Sequence, residues 1–196
     1  MKSARRNYPP VSVVLATYNE REVIRTTIRE TLRALPAGSE IIVVDDDSPD
    51  GTWRIVAALR DPRVHVIRRV GTRGLASALN RGIIESRGEI VAWMDADMSM
   101  PPSLLPRMFA ELRRYDVVVG SRYAEGGKDD RSFLRVATSR SVNALARFVL
   151  RLPVRDTDSG FVAIRRSVLD RVTIIPTGYG QYFIGFLSAC RRKGLK

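Results

Sequence analysis

The chain has very few side chains that bind soft metals or cross-link: one cysteine, Cys190, and one histidine, His65, in 196 residues. A single cysteine excludes an internal disulfide and a cysteine-based zinc site, and it fits a reducing, cytosolic setting. His65 stands alone in an apolar stretch that reads as a strand, so it is taken as structural rather than as a ligand. Long apolar runs are missing as well: none approaches the roughly 20 residues that a membrane-spanning helix needs. Met1 to Pro10 is basic and polar with no apolar centre, which is not a secretory signal. No G-x-G-x-x-G follows the first strand, which argues against a dinucleotide fold. Internal repeats and low-complexity segments are also lacking.

What is present describes a soluble globular protein with one sizeable core: 44% hydrophobic and 28% charged residues. The net charge of +12 suits nucleic acid, an anionic membrane surface or a polyanionic substrate. The basic residues are scattered, and no Cys/His finger or RNP-like aromatic cluster accompanies them, so nucleic acid is not the expected partner. Steep salt dependence of binding to random DNA would mark that distant alternative.

Apolar strands alternate with amphipathic helices. Val11 to Ala16 is a buried strand, followed by a helix from about Glu20 whose Ile24, Ile28, Leu32 and Leu35 share a face. Ile41 to Val44 is a second strand, ending in Asp45-Asp46-Asp47. Turn chemistry at Ser48 to Gly51 leads to a helix carrying Ile55, Val56 and Leu59. Val64 to Ile67 is a third strand, a helix runs from about Gly74, and Ile90 to Met94 is a fourth strand. A helix from Pro102 to Arg114 and a strand at Val117 to Val119 follow. Further on, Ala124 to Asp130 reads as a loop, Ser132 to Leu152 as one long helix, Phe161 to Ile164 as a strand, and Tyr179 to Arg192 as the last helix. This alternation implies a mostly parallel sheet covered by helices.

The apolar Ile90–Met94 run places Asp95-Ala96-Asp97 where the strand leaves the sheet, at the edge where open α/β sheets bind ligands. Carboxylate oxygens suit Mg²⁺ or Mn²⁺, which take one or two carboxylates plus substrate phosphates. A cap for the helix opened by Pro101-Pro102 would call on Ser99 instead, so the pair is read as a metal-nucleotide site. Three polar clusters end three strands: Thr17-Tyr18-Asn19-Glu20, Asp45-Asp46-Asp47 and Asp95-Ala96-Asp97. In a parallel sheet they converge on one cleft. For Asp45 and Asp46 the alternative is an N-terminal cap for the helix after Gly51.

The segments VSVVLATYNE, IIVVDDDSPDGT, GLASALNRGI, WMDADMSMPP, GSRYAEGG and RDTDSGFVAIRR, in that order, resemble the motifs of inverting GT-A glycosyltransferases of family 2. Within that family they are most similar to the dolichol- or polyprenol-phosphate mannose synthase branch. The resemblance implies a single GT-A, Rossmann-like three-layer α/β/α domain over residues 11–196, after a basic tail at 1–10. It implies a nucleotide site from Ala16, Thr17, Tyr18 and Glu20 with Asp45 and Asp46. Asp95, Ala96 and Arg73 would flank the diphosphate, although Arg73 is also readable as an exposed surface arginine. Asp95 and Asp97 would hold Mg²⁺ or Mn²⁺, with Asp97 and Arg122 as catalytic residues. Asp156 and Ser159, in the D-x-x-S-G-F element, would lie under the sugar, a structural turn being the other reading. Ser99 stands where the mannose branch often carries Gln, which leaves that position to water or to a different donor.

Hydroxyl-glycosylating members of family 2 usually carry a Glu-Asp pair near a late helix; the comparable stretch here is Gly178 to Tyr182, with no carboxylate. The Q-x-x-R-W signature of processive synthases is absent too. A monoalkyl phosphate acceptor, with a second pKa of about 6, needs cations rather than a base. Arg122, Arg131, Arg135 and Arg140, with Lys128, are the expected acceptor-phosphate side, arginine forks matching phosphate oxygens. The expected reaction is transfer of mannose from GDP-mannose to a polyprenyl or dolichyl phosphate at the cytoplasmic face of a membrane. UDP-glucose or UDP-N-acetylhexosamine as donor is one alternative, and a catalytically weak nucleotide-binding subunit is another. The chain stops at SACRRKGLK, where the branch continues into a further strand, so a truncated or shortened form is expected, with any anchor lying beyond. Without such an anchor, attachment would rest on basic residues and the Ala144–Leu152 segment meeting an anionic surface, although that segment reads as packed helix ahead of membrane anchor. The oligomeric state is not legible.

Overall fold

The computed structural model describes residues 10–121, 154, 159–175 and 181–196. Its elements are β1 (Val11–Thr17), α1 (Ile24–Ala34), β2 (Glu40–Asp45), α2 (Thr52–Ala57), β3 (Val64–Arg68), α3 (Leu75–Glu85), β4 (Ile90–Asp95), α4 (Leu105–Glu111), β5 (Val117–Val119), β6 (Val162–Arg165) and α5 (Gln181–Arg192). The expected loop at 124–130 and long helix at 132–152 lie outside the described residues, as do Lys128 and the Gly178–Gly180 stretch.

The strands form one sheet in the order β3-β2-β1-β4-β6-β5. β1, β2, β3 and β4 are parallel, whereas β6 runs antiparallel to both its neighbours. The strand order reverses at β1, which pairs with β2 on one side and β4 on the other. A crevice therefore opens between the ends of β1 and β4, the topological switch point where open α/β sheets bind ligands. The register sharpens this: Thr17 is opposite Asp45, and Ala16 is opposite Asp95.

Both faces of the sheet are covered, which is why the central strands are apolar without alternation. Along β1, Val13 and Leu15 pack with Ile24 and Ile28 of α1 and with Leu105 and Phe109 of α4. Val14 points the other way, into a layer with Leu79 and Ile83 of α3, Trp93 of β4, and Phe183 and Phe186 of α5. Trp93 meets Phe186 edge to face at 5.8 Å. Among the described residues, no helix is long and apolar enough to cross a membrane.

The fourth helix departs from expectation. A 3₁₀ turn at Pro102–Leu104 precedes it, and the α-helix spans only Leu105–Glu111. Pro106 explains the break: its ring would crowd the Pro102 carbonyl, and it has no N–H to offer an α-helical bond. Leu104 N–H instead donates to Pro101 O at 3.1 Å. α2 is also shorter than its apolar pattern, ending before Leu59. His65 is exposed on the edge strand β3, with Nε2 3.5 Å from Glu40 Oε2.

Gly82 marks where α3 approaches the sheet most closely. A Cβ there would fall on Val14 Cγ1 and lie 3.1 Å from Val44 Cγ2. Both valines are fully buried and stiff at χ1. Gly82→Ala gains about 1 kcal/mol of helix propensity but overpacks a site whose cost is at the upper end of about 1–3 kcal/mol. The net expected effect is destabilisation by about 2 kcal/mol, read as a lower urea midpoint at unchanged slope.

Candidate active site

A cleft of about 660 Å³ opens at the switch point, lined by residues of β1 and its following turn, the end of β2, the start of α3 and the end of β4. It brings together Ala16, Thr17, Tyr18, Glu20, Asp46, Arg73, Asp95, Ala96 and Asp97, all residues singled out in the sequence. Gly74, Leu75 and Ala78 of the α3 start line it as well. Arg122, Arg131, Arg135, Arg140 and Asp156 lie outside the described residues.

The three consecutive aspartates after β2 divide the work. Asp45 is fully buried and does not line the cleft. Its carboxylate accepts from Thr17 Oγ1 at 2.8 Å, from Ser48 N at 2.8 Å and from Ser48 Oγ at 2.7 Å. Ser48 Oγ in turn accepts from Asn19 N at 3.0 Å. Asp45 thus ties the turn after β2 to the turn after β1 and is not placed to meet a nucleotide. Asp46 faces the cleft, its Oδ2 accepting from Gly74 N at 2.8 Å and its Oδ1 from Arg69 Nε at 2.6 Å. Asp47 adopts a left-handed φ of 55° and turns outward to Arg68 Nε at 2.6 Å. The helix after Gly51 takes its cap from none of them: Asp50 Oδ1 accepts from Thr52 N at 2.9 Å.

At the end of β4, Asp95 is half-buried and Asp97 exposed. Asp97 Oδ1 accepts from Ser99 N at 2.9 Å, closing a tight turn through Met98, whose φ is 64°. Thr27 Oγ1 of α1 donates to Ala96 O at 2.7 Å and fixes that turn to the first helix. Gly160 packs directly on the Asp95 carboxylate: a Cβ there would lie 2.7 Å from both its oxygens. Ser159 is buried, donates to Gly120 O and accepts from Phe161 N. Its hydroxyl therefore joins the end of β5 to the start of β6. Across the cleft mouth, the Arg73 guanidinium lies 4.4 Å over the ring of Tyr18, which is itself exposed.

Acidic side chains crowd this corner of the cleft. Burial pushes the Glu20 carboxyl above its ordinary pKa, and repulsion from Asp97, Asp50 and Asp95 adds to the rise. Among the described residues, no three Asp, Glu, His or Cys side chains gather at one point to cage a metal. Two carboxylates at a strand end fit a hard, oxygen-seeking ion that keeps waters and takes its remaining ligands from a phosphate. They do not fit zinc, which prefers nitrogen or sulfur ligands. The residue that sequence reasoning missed is Arg69. Its only signal was a place at the end of the third parallel strand, facing the same edge as the aspartates.

A doubly covered sheet with a carboxylate pair beside a nucleotide-sized crevice is the GT-A arrangement. The family model described as glycosyl transferase family 2 matches residues 12–173, and the chain belongs to that family. Two relatives narrow the comparison. The chain is 38% identical over 175 residues to a dolichol-phosphate mannosyltransferase of Pyrococcus furiosus, covering 86% of this chain and 50% of that protein. It is 37% identical over 183 residues to an undecaprenyl-phosphate mannosyltransferase of Micrococcus luteus, covering 87% of this chain and 73% of that one. The chain thus spans only half the length of the Pyrococcus relative. Among solved structures it superposes on glucosyl-3-phosphoglycerate synthase from Mycobacterium tuberculosis, crystallised with Mn²⁺, UDP and glucosyl-3-phosphoglycerate. That match has a TM-score of 0.72 at 24% identity, covering 95% of this chain and 67% of the other, and it establishes the shared fold.

Proposed function

We propose that this chain is the donor-binding and transfer domain of a mannosyltransferase that moves mannose from GDP-mannose to a polyprenyl or dolichyl phosphate. The observation that carries the reading is the convergence of the β1, β2 and β4 ends on one cleft, with Asp95 and Asp97 at its acidic corner. The names of the Pyrococcus and Micrococcus relatives support the mannose and lipid-phosphate assignments. Tyr18 and Asp46 are assigned to the nucleoside and Arg73 to its diphosphate, a reading supported by their lining one cleft. A divalent ion held by Asp95 and Asp97 would neutralise the charge that builds on the departing nucleoside diphosphate.

The reaction is a single displacement. An oxygen of the acceptor phosphate forms a bond to sugar C1 from the face opposite the diphosphate. The bond from C1 to the diphosphate oxygen breaks, and its electron pair leaves with GDP, so the anomeric configuration inverts. The acceptor is already largely dianionic near neutral pH, so no side chain has to take a proton. Arg122, Arg131, Arg135 and Arg140 are assigned to hold that acceptor phosphate.

Calorimetric titration with GDP-mannose and with UDP-glucose, each with and without Mn²⁺, tests the reading. GDP-mannose is expected to bind more tightly than UDP-glucose, and Mn²⁺ is expected to strengthen that binding. A preference for UDP-glucose would move the chain to glucosyl transfer. Failure to bind either sugar nucleotide would reject the donor-site assignment.

A further inference from the structure

Arg69 stands behind the wall of the cleft rather than in it, with all three guanidinium nitrogens engaged. Its side chain is only 11% exposed. Each of its three nitrogens meets a different acceptor. Nε donates to Asp46 Oδ1 at 2.6 Å, Nη1 to Ser77 Oγ at 3.0 Å, and Nη2 to Gly74 O at 3.1 Å, with Nη2 also 2.5 Å from Asp46 Oδ1. Its own backbone N–H donates to Asp45 O at 2.8 Å. The loop is closed by Gly74 N, which donates to Asp46 Oδ2 at 2.8 Å. Gly74 needs to be glycine here, since its φ is 142°.

We propose that Arg69 is a positioning residue for donor binding, holding Asp46 and Gly74 in the shape that receives the nucleoside. The inference rests on the nucleotide-sugar reading of the cleft and deepens it. Three elements meet at this guanidinium: the end of β2 through Asp46, the end of β3 through Arg69 itself, and the start of α3 through Gly74 and Ser77. Asp46 and Gly74 line the cleft. A carboxylate offers about four acceptor positions. Arg69 fills both on Oδ1 and Gly74 fills one on Oδ2, which leaves Asp46 one acceptor for an N–H or O–H of the ligand. Arg69 also neutralises a carboxylate that would otherwise stand buried and uncompensated beside an incoming diphosphate. A lysine could keep the charge but not the planar fork that spreads donors from three separate nitrogens to Asp46, Ser77 and Gly74.

The test is a double-mutant cycle on donor binding by calorimetry with Mn²⁺, using wild type, Arg69→Met, Asp46→Asn and the double variant, with Arg69→Lys alongside. Arg69→Met is expected to weaken binding of the preferred sugar nucleotide about tenfold, and Arg69→Lys by less. In the Asp46→Asn background, Arg69→Met is expected to cost less than about threefold, because its action runs through Asp46. Wild-type affinity in Arg69→Met, or losses that multiply in the double variant, would overturn the proposal while leaving the donor site standing. A wild-type chain that binds neither sugar nucleotide would overturn the donor site, and Arg69's role with it. Circular dichroism checks the fold of each variant; should Arg69→Met not fold, the comparison rests on Arg69→Lys, and wild-type affinity there overturns the proposal.

Discussion

Asp97→Ala is expected to leave the thermal unfolding of the protein nearly unchanged while slowing sugar transfer about a thousandfold. The two halves of this expectation come from different physics. Asp97 is exposed, and among the described residues its carboxylate accepts from Ser99 N at 2.9 Å, a bond whose loss costs the fold no more than about 1 kcal/mol. On the proposed function, Asp97 would help hold a divalent cation where charge develops on the leaving diphosphate. A Lewis acid in that position supplies several kcal/mol, and each 1.36 kcal/mol is about a factor of ten in rate. The electrostatic background points the same way, because Glu20 already sits in a field made unfavourable by burial and by Asp97, Asp50 and Asp95. Removing Asp97 relieves part of that repulsion, so Glu20 should ionise more readily in the variant. The measurement is transfer of labelled mannose to a polyprenyl phosphate, together with GDP-mannose titration with and without Mn²⁺. The Mn²⁺-dependent part of binding should disappear. Transfer within about threefold of wild type would remove Asp97 from the ligand set, since a lost metal anchor cannot cost so little.

Much of this site was legible in the residues because strands buried on both faces advertise themselves. The run from Ile90 to Met94 has no polar interruption, so the position of Asp95 at a strand end, and of Thr17 and Asp46 at two others, followed from pattern alone. The division of roles among Asp45, Asp46 and Asp47 was not legible. Adjacent side chains leave a strand end in different directions, and nothing in a run of three aspartates says which one meets Ser48, which the cleft and which Arg68. Arg69 was hidden for a related reason. Its partners Asp46, Gly74 and Ser77 come from other elements, and an arginine at a strand end reads as surface until its partners are in place. Pro106 breaks the helix expected over Pro102 to Arg114, because it has no N–H for an α-helical bond, and a 3₁₀ turn stands in its first part. Ser159 shows the limit of motif transfer: its hydroxyl is committed to Gly120 and Phe161, a structural use that the motif leaves open.

Gly160→Ala is expected to lower transfer about a hundredfold without removing any group that carries charge. A Cβ at Gly160 would lie 2.7 Å from both oxygens of Asp95 and 2.9 Å from its Cγ, whereas ordinary contacts begin near 3.4 Å. Something has to yield by more than half an ångström. The backbone at Gly160 is held on both sides, by Ser159 bonded to Gly120 O and by fully packed Phe161, so the Asp95 carboxylate is the part that moves. A displacement approaching 1 Å in a positioning group costs about a hundredfold in rate. The strain also destabilises the fold by about 1–3 kcal/mol, which a thermal melt separates from the kinetic effect. Affinity for the nucleotide in the absence of metal should survive, because Tyr18, Asp46 and Gly74 lie on other elements, while the increment added by Mn²⁺ should fall. On the proposed function, Asp97→Ala would remove a metal ligand and Gly160→Ala would only move one. If the two variants lose the same Mn²⁺-dependent binding while the glycine variant keeps all its carboxylates, the geometry of the pair, rather than its charge, is what the site depends on. If Gly160→Ala transfers sugar as the wild type does, the Asp95 carboxylate can shift without consequence, and the cation must be held chiefly by Asp97 and the diphosphate.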